Sequence, residues 1–128
     1  VIDFHLEPRS GVAPYMQLVH QVQQALRLGM LTVGDQLPTV KQVVSRIAIN
    51  PNTVLKAYRE LERQGLVTPR PGRGTFVTAT LAGTDPDTHT ELKTELQQWI
   101  TRARTAGLDD DALRALFDTT MRRNANAP

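Results

Sequence analysis

The sequence predicts a mainly α-helical chain with one small β-hairpin, changing character near residue 80. Three observations predict it. Apolar residues recur at helical spacing in successive windows, the mark of amphipathic helices. Two β-prone runs, residues 66–68 and 75–78, flank a turn rich in Pro, Gly and Arg, which reads as a hairpin. Charge is also uneven: residues 1–80 hold nine Lys/Arg and five Asp/Glu, whereas residues 81–128 hold six and eight. A modest cationic excess at the front suits a polyanionic partner there, with a neutral-to-acidic back.

The totals bound the rest. A chain of 128 residues is one domain, or one small domain with an appendage, and 40% hydrophobic with 5% aromatic residues gives it a lean core. The absence of cysteine excludes disulfides and thiolate metal sites. No apolar run is long enough to span a bilayer, and the start Val1-Ile2-Asp3-Phe4-His5-Leu6 carries acid where a secretion signal needs base. A cytoplasmic protein with no membrane partner is therefore expected. The missing initiator methionine marks a trimmed or fragmentary N-terminus.

In chain order, residues 1–12 alternate Ile2, Phe4 and Leu6 with polar residues, as a short strand or an ordered arm would, until Pro8, Ser10 and Gly11 break the pattern. The first helix is expected over residues 13–27, with Tyr15, Leu18, Val19, Val22, Ala25 and Leu26 as its stripe. A turn-rich connector follows, in which Leu31, Val33 and Leu37 should plug the core and one or two residues pair as a minimal strand. Thr39 caps a second helix over residues 40–46, with Gln42 at the capping-box position. Val43, Val44 and Ile47 should face inward, and Lys41 and Gln42 outward.

The third helix carries the sharpest signal. Asn50 is a good N-cap, Pro51 fits the first helical position and Gly65 suits the residue after the last turn. Val54, Ala57, Tyr58 and Leu61 form its apolar stripe. Its other side presents Asn52, Thr53, Lys56 and Arg59 with no acid among them. A helix start offering amides, a hydroxyl and cations is suited to a polyanion with readable edges, as a DNA recognition helix is. An ordinary solvated helix face can carry the same residues, so the flanks decide. Two short helices joined by the tight turn at residues 47–50 form a helix-turn-helix unit. Directly after it comes a hairpin whose turn bears Arg70 and Arg73 beside Gly72 and Gly74, the wing of a winged helix.

Residues 1–80 are thus read as a winged helix-turn-helix domain with an N-terminal arm, residues 81–88 as a linker, and residues 89–128 as a two-helix antiparallel hairpin. A fourth helix is expected over residues 90–106, with Leu92, Leu96, Trp99, Ile100 and Ala103 as its stripe. Asp109 should cap a fifth helix, with a stripe of Ala112, Leu113, Leu116, Phe117, Thr120 and Met121, and residues 124–128 should fray. Two helices are too few for a core of their own, so they bury these stripes against their own chain or a second copy. Dimerisation through Leu92, Leu96, Trp99, Ile100, Leu113, Leu116 and Phe117 is the favoured reading, because a symmetric pair of winged helices reads a palindrome.

The motifs Leu37-Pro38-Thr39-Val40-Lys41, Asn50-Pro51-Asn52-Thr53-Val54, the run from Ala57 to Val67, and Gly72-Arg73-Gly74-Thr75-Phe76-Val77 stand in an order and spacing that resemble the DNA-binding domain of the GntR family of bacterial transcription regulators. The Asn-Pro-Asn-Thr turn and the short helical tail are similar to its YtrA subfamily. The resemblance implies a dimeric repressor acting on a palindromic operator, with DNA contacts at Lys41, Asn50, Asn52, Thr53, Arg73 and Gly74. To these the chain's own pattern adds Thr39, Lys56, Arg59 and Arg70. Many relatives carry arginine where this chain has Leu55 and Pro51, so their base preference does not transfer. The family also implies transporter genes, often of the ABC type, as targets. The 48 residues after Thr80 are too few for the large effector-binding domain of other members.

Other classes fit less well. His5, His20 and His89 lack metal-ligand spacing, Asp109-Asp110-Asp111 is a helix start, and Gly72-Arg73-Gly74 is no phosphate-binding loop, so neither an enzyme nor a cofactor is expected. The rival is a winged helix used for protein or RNA contact. An RNA reader should expose aromatic stacking residues, whereas Tyr15, Tyr58, Phe76, Trp99 and Phe117 all fall on apparent core stripes.

Overall fold

The computed structural model describes residues 2–82 and 86–125. The chain divides into two compact units, residues 1–86 and 87–128.

In the first unit, α1 (Pro14–Arg27) buries Leu18, Val19, Val22, Ala25 and Leu26. A helix of 14 residues is marginal alone in water, so this stripe, packed chiefly on α3, is what holds it. The N-terminal segment is the ordered arm, without a strand. Two glutamines of α1 replace a partner strand: Gln21 accepts from the His5 N–H (3.1 Å) and donates to its carbonyl (2.7 Å), and Gln17 does the same for Glu7 (2.8 and 3.1 Å). With its backbone satisfied in this way, the arm delivers Phe4 to the core, where it is buried.

In the connector Leu31 and Leu37 are buried, but Val33 is 59% exposed. The Asp35 carboxylate accepts from the Thr32 N–H (2.9 Å), closing a turn that puts Val33 at its solvent-facing apex. In α2 (Val40–Arg46) the capping box forms as expected, Thr39 and Gln42 exchanging side-chain and backbone bonds. Only Val43 is fully buried in α2, and Ile47, just past its end, is half-buried. Val44 lies roughly 100° further round the helix and is 37% exposed, contrary to the inward position read from the sequence.

Pro51–Arg63 form α3, with Asn50 as N-cap and Val54, Ala57, Tyr58 and Leu61 buried. Its end closes as a Schellman motif: Leu66 N–H donates to Leu61 O (3.0 Å) and Gly65, at φ 77°, takes the left-handed position. The hairpin is β1 (Val67–Arg70) and β2 (Gly74–Val77), paired from Val67↔Val77 to Arg70↔Gly74. The strands are displaced from the expected runs: the Leu66 N–H closes the helix while its carbonyl accepts from Thr78 N–H (2.9 Å), and the strand pairing continues through Pro69 and Arg70. A third short segment, residues 34–37, lies along β2 through Gly34 N–H to Val77 O, Val77 N–H to Asp35 O and Leu37 N–H to Thr75 O (2.8–2.9 Å).

In the second unit, α4 (Pro86–Thr105) precedes α5 (Asp110–Ala125). Residues 86–88, read from the sequence as linker, are the first turn of α4; residues 83–85 lie outside the described residues. The start signal was Pro86 itself, a residue suited to a first helical turn, with Asp87 beside it. Asp109 caps α5 as expected, accepting from Ala112 N–H at 2.8 Å, and Arg104 pairs with Asp110 at 3.0 Å across the turn. Asn124 and Ala125, expected to fray, are helical, while residues 126–128 lie outside the described residues. Leu113 is buried and Trp99 and Ile100 are half-buried. Leu92, Leu96, Leu116, Phe117 and Met121 remain 45–56% exposed, so Phe117 is no core aromatic within this chain.

Candidate nucleic-acid interface

The site begins at the first turn of α3. Asn50 Oδ1 accepts from the Asn52 N–H at 2.8 Å, which occupies the carbonyl side of the Asn50 amide and leaves its NH2 as donor. Asn52 has an exposed side chain two residues after the cap, and Thr53 beside it is half-buried. Backbone N–H groups of a first helical turn are partly free and carry the positive end of the helix dipole, which adds to the attraction for phosphate. Across the turn, Thr39 uses its oxygen as acceptor for Gln42 N–H at 3.1 Å, and its hydroxyl proton remains free to donate. Lys41 is exposed on α2.

Two helices are locked together at this point. The Tyr58 hydroxyl, on the inner side of α3, donates to the Pro38 carbonyl just before α2. Burial pushes the Tyr58 phenol well above its ordinary pKa, so it stays a neutral donor. Lys56 does not reach outward. Its ammonium lies 4.0 Å over the centroid of the Tyr15 ring, a cation–π contact that holds its position at the start of α1.

Further along α3 the cationic character ends. Arg63 donates to Glu60 through both Nε and an Nη, and hydrogen bonds from Arg63 and then Gln64 hold the Glu60 carboxyl down at about 2. That arginine is neutralised locally, leaving Arg59 and Lys56 as the exposed cations of this helix without an ion-pair partner among the described residues, of which Lys56 is held over the Tyr15 ring.

The wing supplies the other edge. Arg70 stacks over the Phe76 ring at 4.9 Å, and Arg73, in the turn, donates its N–H to Arg70 O at 2.9 Å. The residue that sets this turn was not singled out in the sequence. Gln36, paired with Phe76 as an isolated bridge, reaches across β2 and donates from Nε2 to the Arg73 carbonyl at 3.0 Å. Gly74 leaves room for it: a Cβ there would stand 2.4 Å from Gln36 Nε2, at a φ of 124° that side chains rarely adopt.

The structure brings Thr39, Arg59 and Gly74 to one open cleft between α2, α3 and the wing, of about 370 Å³, with Leu55 and Glu62 also on its wall. Asn50, Asn52 and Thr53 stand at the α3 tip, and Lys41, Arg70 and Arg73 are exposed on their own elements. Sequence reading missed Gln36, Tyr15 and Phe76 as supports: Gln36 and Tyr15 act on residues far away in the chain, and Phe76 meets Arg70 only through the pairing of the hairpin. Among the described residues no group of His, Cys, Asp and Glu could hold a metal ion, and no helix is long and apolar enough to cross a membrane.

A helix-turn-helix with an open, acid-free helix tip beside a hairpin carrying two arginines defines a winged helix-turn-helix DNA-binding transcription regulator, not an enzyme. The family model of the bacterial regulatory proteins of the gntR family matches residues 14–77. The chain belongs to the GntR family, and within it to the YtrA subfamily. It is 37% identical over 109 residues to the HTH-type transcriptional repressor YtrA of Bacillus subtilis, covering 84% of each chain. A transcriptional antiterminator from Listeria monocytogenes has a similar crystal structure, with a TM-score of 0.60 and 30% identity, over 94% of this chain and 90% of that one. AraR(DBD) in complex with operator ORX1 is similar over 59% of this chain and 93% of its own, with a TM-score of 0.52 and 25% identity.

Proposed function

We propose that the chain works as a homodimer, joined through α4 and α5, that represses transcription by occupying a palindromic operator. The observation that carries the dimer is the unspent apolar face of the second unit: Leu92, Leu96, Leu116, Phe117 and Met121 are each about half exposed at helical spacing. A helix pair gains little by showing such a stripe to water, and an isologous pairing covers it on both copies at once. Trp99, Ile100 and Leu113 form the floor on which that pairing sits.

In this reading, Asn50, Asn52 and Thr53 meet base edges. Thr39, Lys41 and Arg59 meet phosphates on one side, and Arg70, Arg73 and the Gly74 backbone grip the flank. Lys56 braces the α3 tip from its seat over Tyr15. The YtrA repressor of Bacillus subtilis supports repression as the mode. The family resemblance makes promoters of membrane-transporter genes the first to test.

Sedimentation equilibrium decides the assembly. The intact chain should sediment as a dimer, and Phe117→Ser with Leu96→Ser as a monomer that is still folded. Gel shifts on the chain's own promoter should then show tight binding to two inverted half-sites and much weaker binding to one. A monomeric wild type, or equal affinity for one and two half-sites, would refute the proposal.

A further inference from the structure

We propose that Leu55 reads the 5-methyl group of a thymine in the major groove and is a specificity-determining residue of this site. The proposal rests on the DNA-binding reading of α3. Successive residues of a helix turn by roughly 100°. Val54, Ala57, Tyr58 and Leu61 are 0–8% exposed and mark the side of α3 facing the core. Asn52, Leu55, Lys56 and Arg59 fall on the opposite arc, and all four are exposed. Leu55 therefore lies one turn beyond Asn52 and one turn before Arg59, at the edge of this arc that turns toward the cleft with α2 and the wing, and remains 37% exposed. The core has no use for it: its chain neighbour Val54 already fills the inward position.

A leucine at that place neither donates nor accepts a hydrogen bond, and a phosphate offers it nothing. Among the base edges in the major groove, the apolar group is the C5-methyl of thymine. Its surroundings favour DNA over an apolar protein partner, because an amide and a cation lie along the same arc and Thr39 shares the cleft wall with it. Covering the exposed part of Leu55 with a methyl removes apolar surface of both partners from water. The same contact cannot form with cytosine or with uracil, which lack that carbon.

The test removes the methyl without altering the protein. The intact chain is used to select from two random duplex libraries, one made with thymine and one with deoxyuracil in its place. The wild type should enrich a motif with a thymine in each half-site whose preference disappears in the deoxyuracil library. On single duplexes, replacing that thymine by deoxyuracil should weaken binding roughly three- to tenfold. Leu55→Ala, checked for an unchanged thermal unfolding curve, should bind the two duplexes within about twofold of each other. A wild-type motif identical in the two libraries would overturn the assignment to Leu55 while leaving DNA binding intact. Failure to enrich any duplex in either library would overturn the underlying reading, and the role of Leu55 with it.

Discussion

At Gly74 a single carbon decides the shape of the wing. The residue sits at φ 124°, and the Gln36 amide fills the space where a Cβ would be. Gly74→Ala therefore adds backbone strain on the order of 1–2 kcal/mol and displaces the amide that holds the Arg73 carbonyl. Its DNA affinity should fall, as measured by fluorescence anisotropy at fixed salt. Gln36→Ala loses only the amide clamp, so it should weaken binding less, and its effect should vanish when Arg73 is already alanine. Full additivity of the Gln36 and Arg73 changes would show that the clamp does not act through the wing tip. Asn52→Ala belongs at this scale too, since its exposed amide is proposed to read one base. It should cost about 1–3 kcal/mol at one position per half-site, seen as relaxed discrimination there, with binding to other positions unchanged.

At the scale of elements, the joint between α2 and α3 rests on Tyr58. Its hydroxyl donates to the Pro38 carbonyl, and burial holds the neutral form. Tyr58→Phe should cost about 0.5–1.5 kcal/mol at pH 7 by urea unfolding. The pH dependence follows from the sign of the shift. The folded phenol titrates above its unfolded value of about 10, so its contribution is fully present below pH 10 and is lost as pH rises beyond it. Between pH 9 and 11 the wild type should lose stability faster than Tyr58→Phe; parallel curves would contradict this. Thr39→Ala, which opens the capping box at the start of α2, should cost about 1 kcal/mol in the same assay. The helices of the first unit were legible because their signals are local: Thr39 with Gln42, Asn50 with Pro51, and Gly65 each act within a few residues. The Pro86 start is equally local, but the run Thr84-Asp85-Pro86-Asp87-Thr88 fits a linker as well as a helix start. What the sequence hid was made by distant pairings. The residues 34–37 along β2, Gln36 under the Arg73 turn and Tyr15 under Lys56 are each joined across tens of residues, and no periodicity reports them. The orientation of Val33 was hidden for a related reason, since a side-chain bond from Asp35 outweighs the hydrophobic preference of one exposed valine.

For the whole molecule, the tail and the cationic surface are linked through the number of phosphates one complex can neutralise. Each first unit exposes Lys41, Arg59, Arg70 and Arg73, none of them in an ion pair among the described residues. A dimer with both copies engaged would release counterions from about eight phosphates, so log affinity should fall with log salt at a slope near −7. A chain cut after Thr80 loses the proposed dimer contact, and its slope should be about half that, near −3.5, with far weaker affinity at every salt concentration. Arg73→Ala in the intact chain should reduce the slope by about 2, one per copy, and weaken binding to all sequences alike. These three slopes, measured on one palindromic duplex by anisotropy between low and physiological salt, separate assembly from contact. If the intact and cut chains share a slope, the tail does not bring two winged helices onto one operator. If Arg73→Ala leaves the slope unchanged but loses a single base preference, the wing tip reads sequence instead of gripping the backbone.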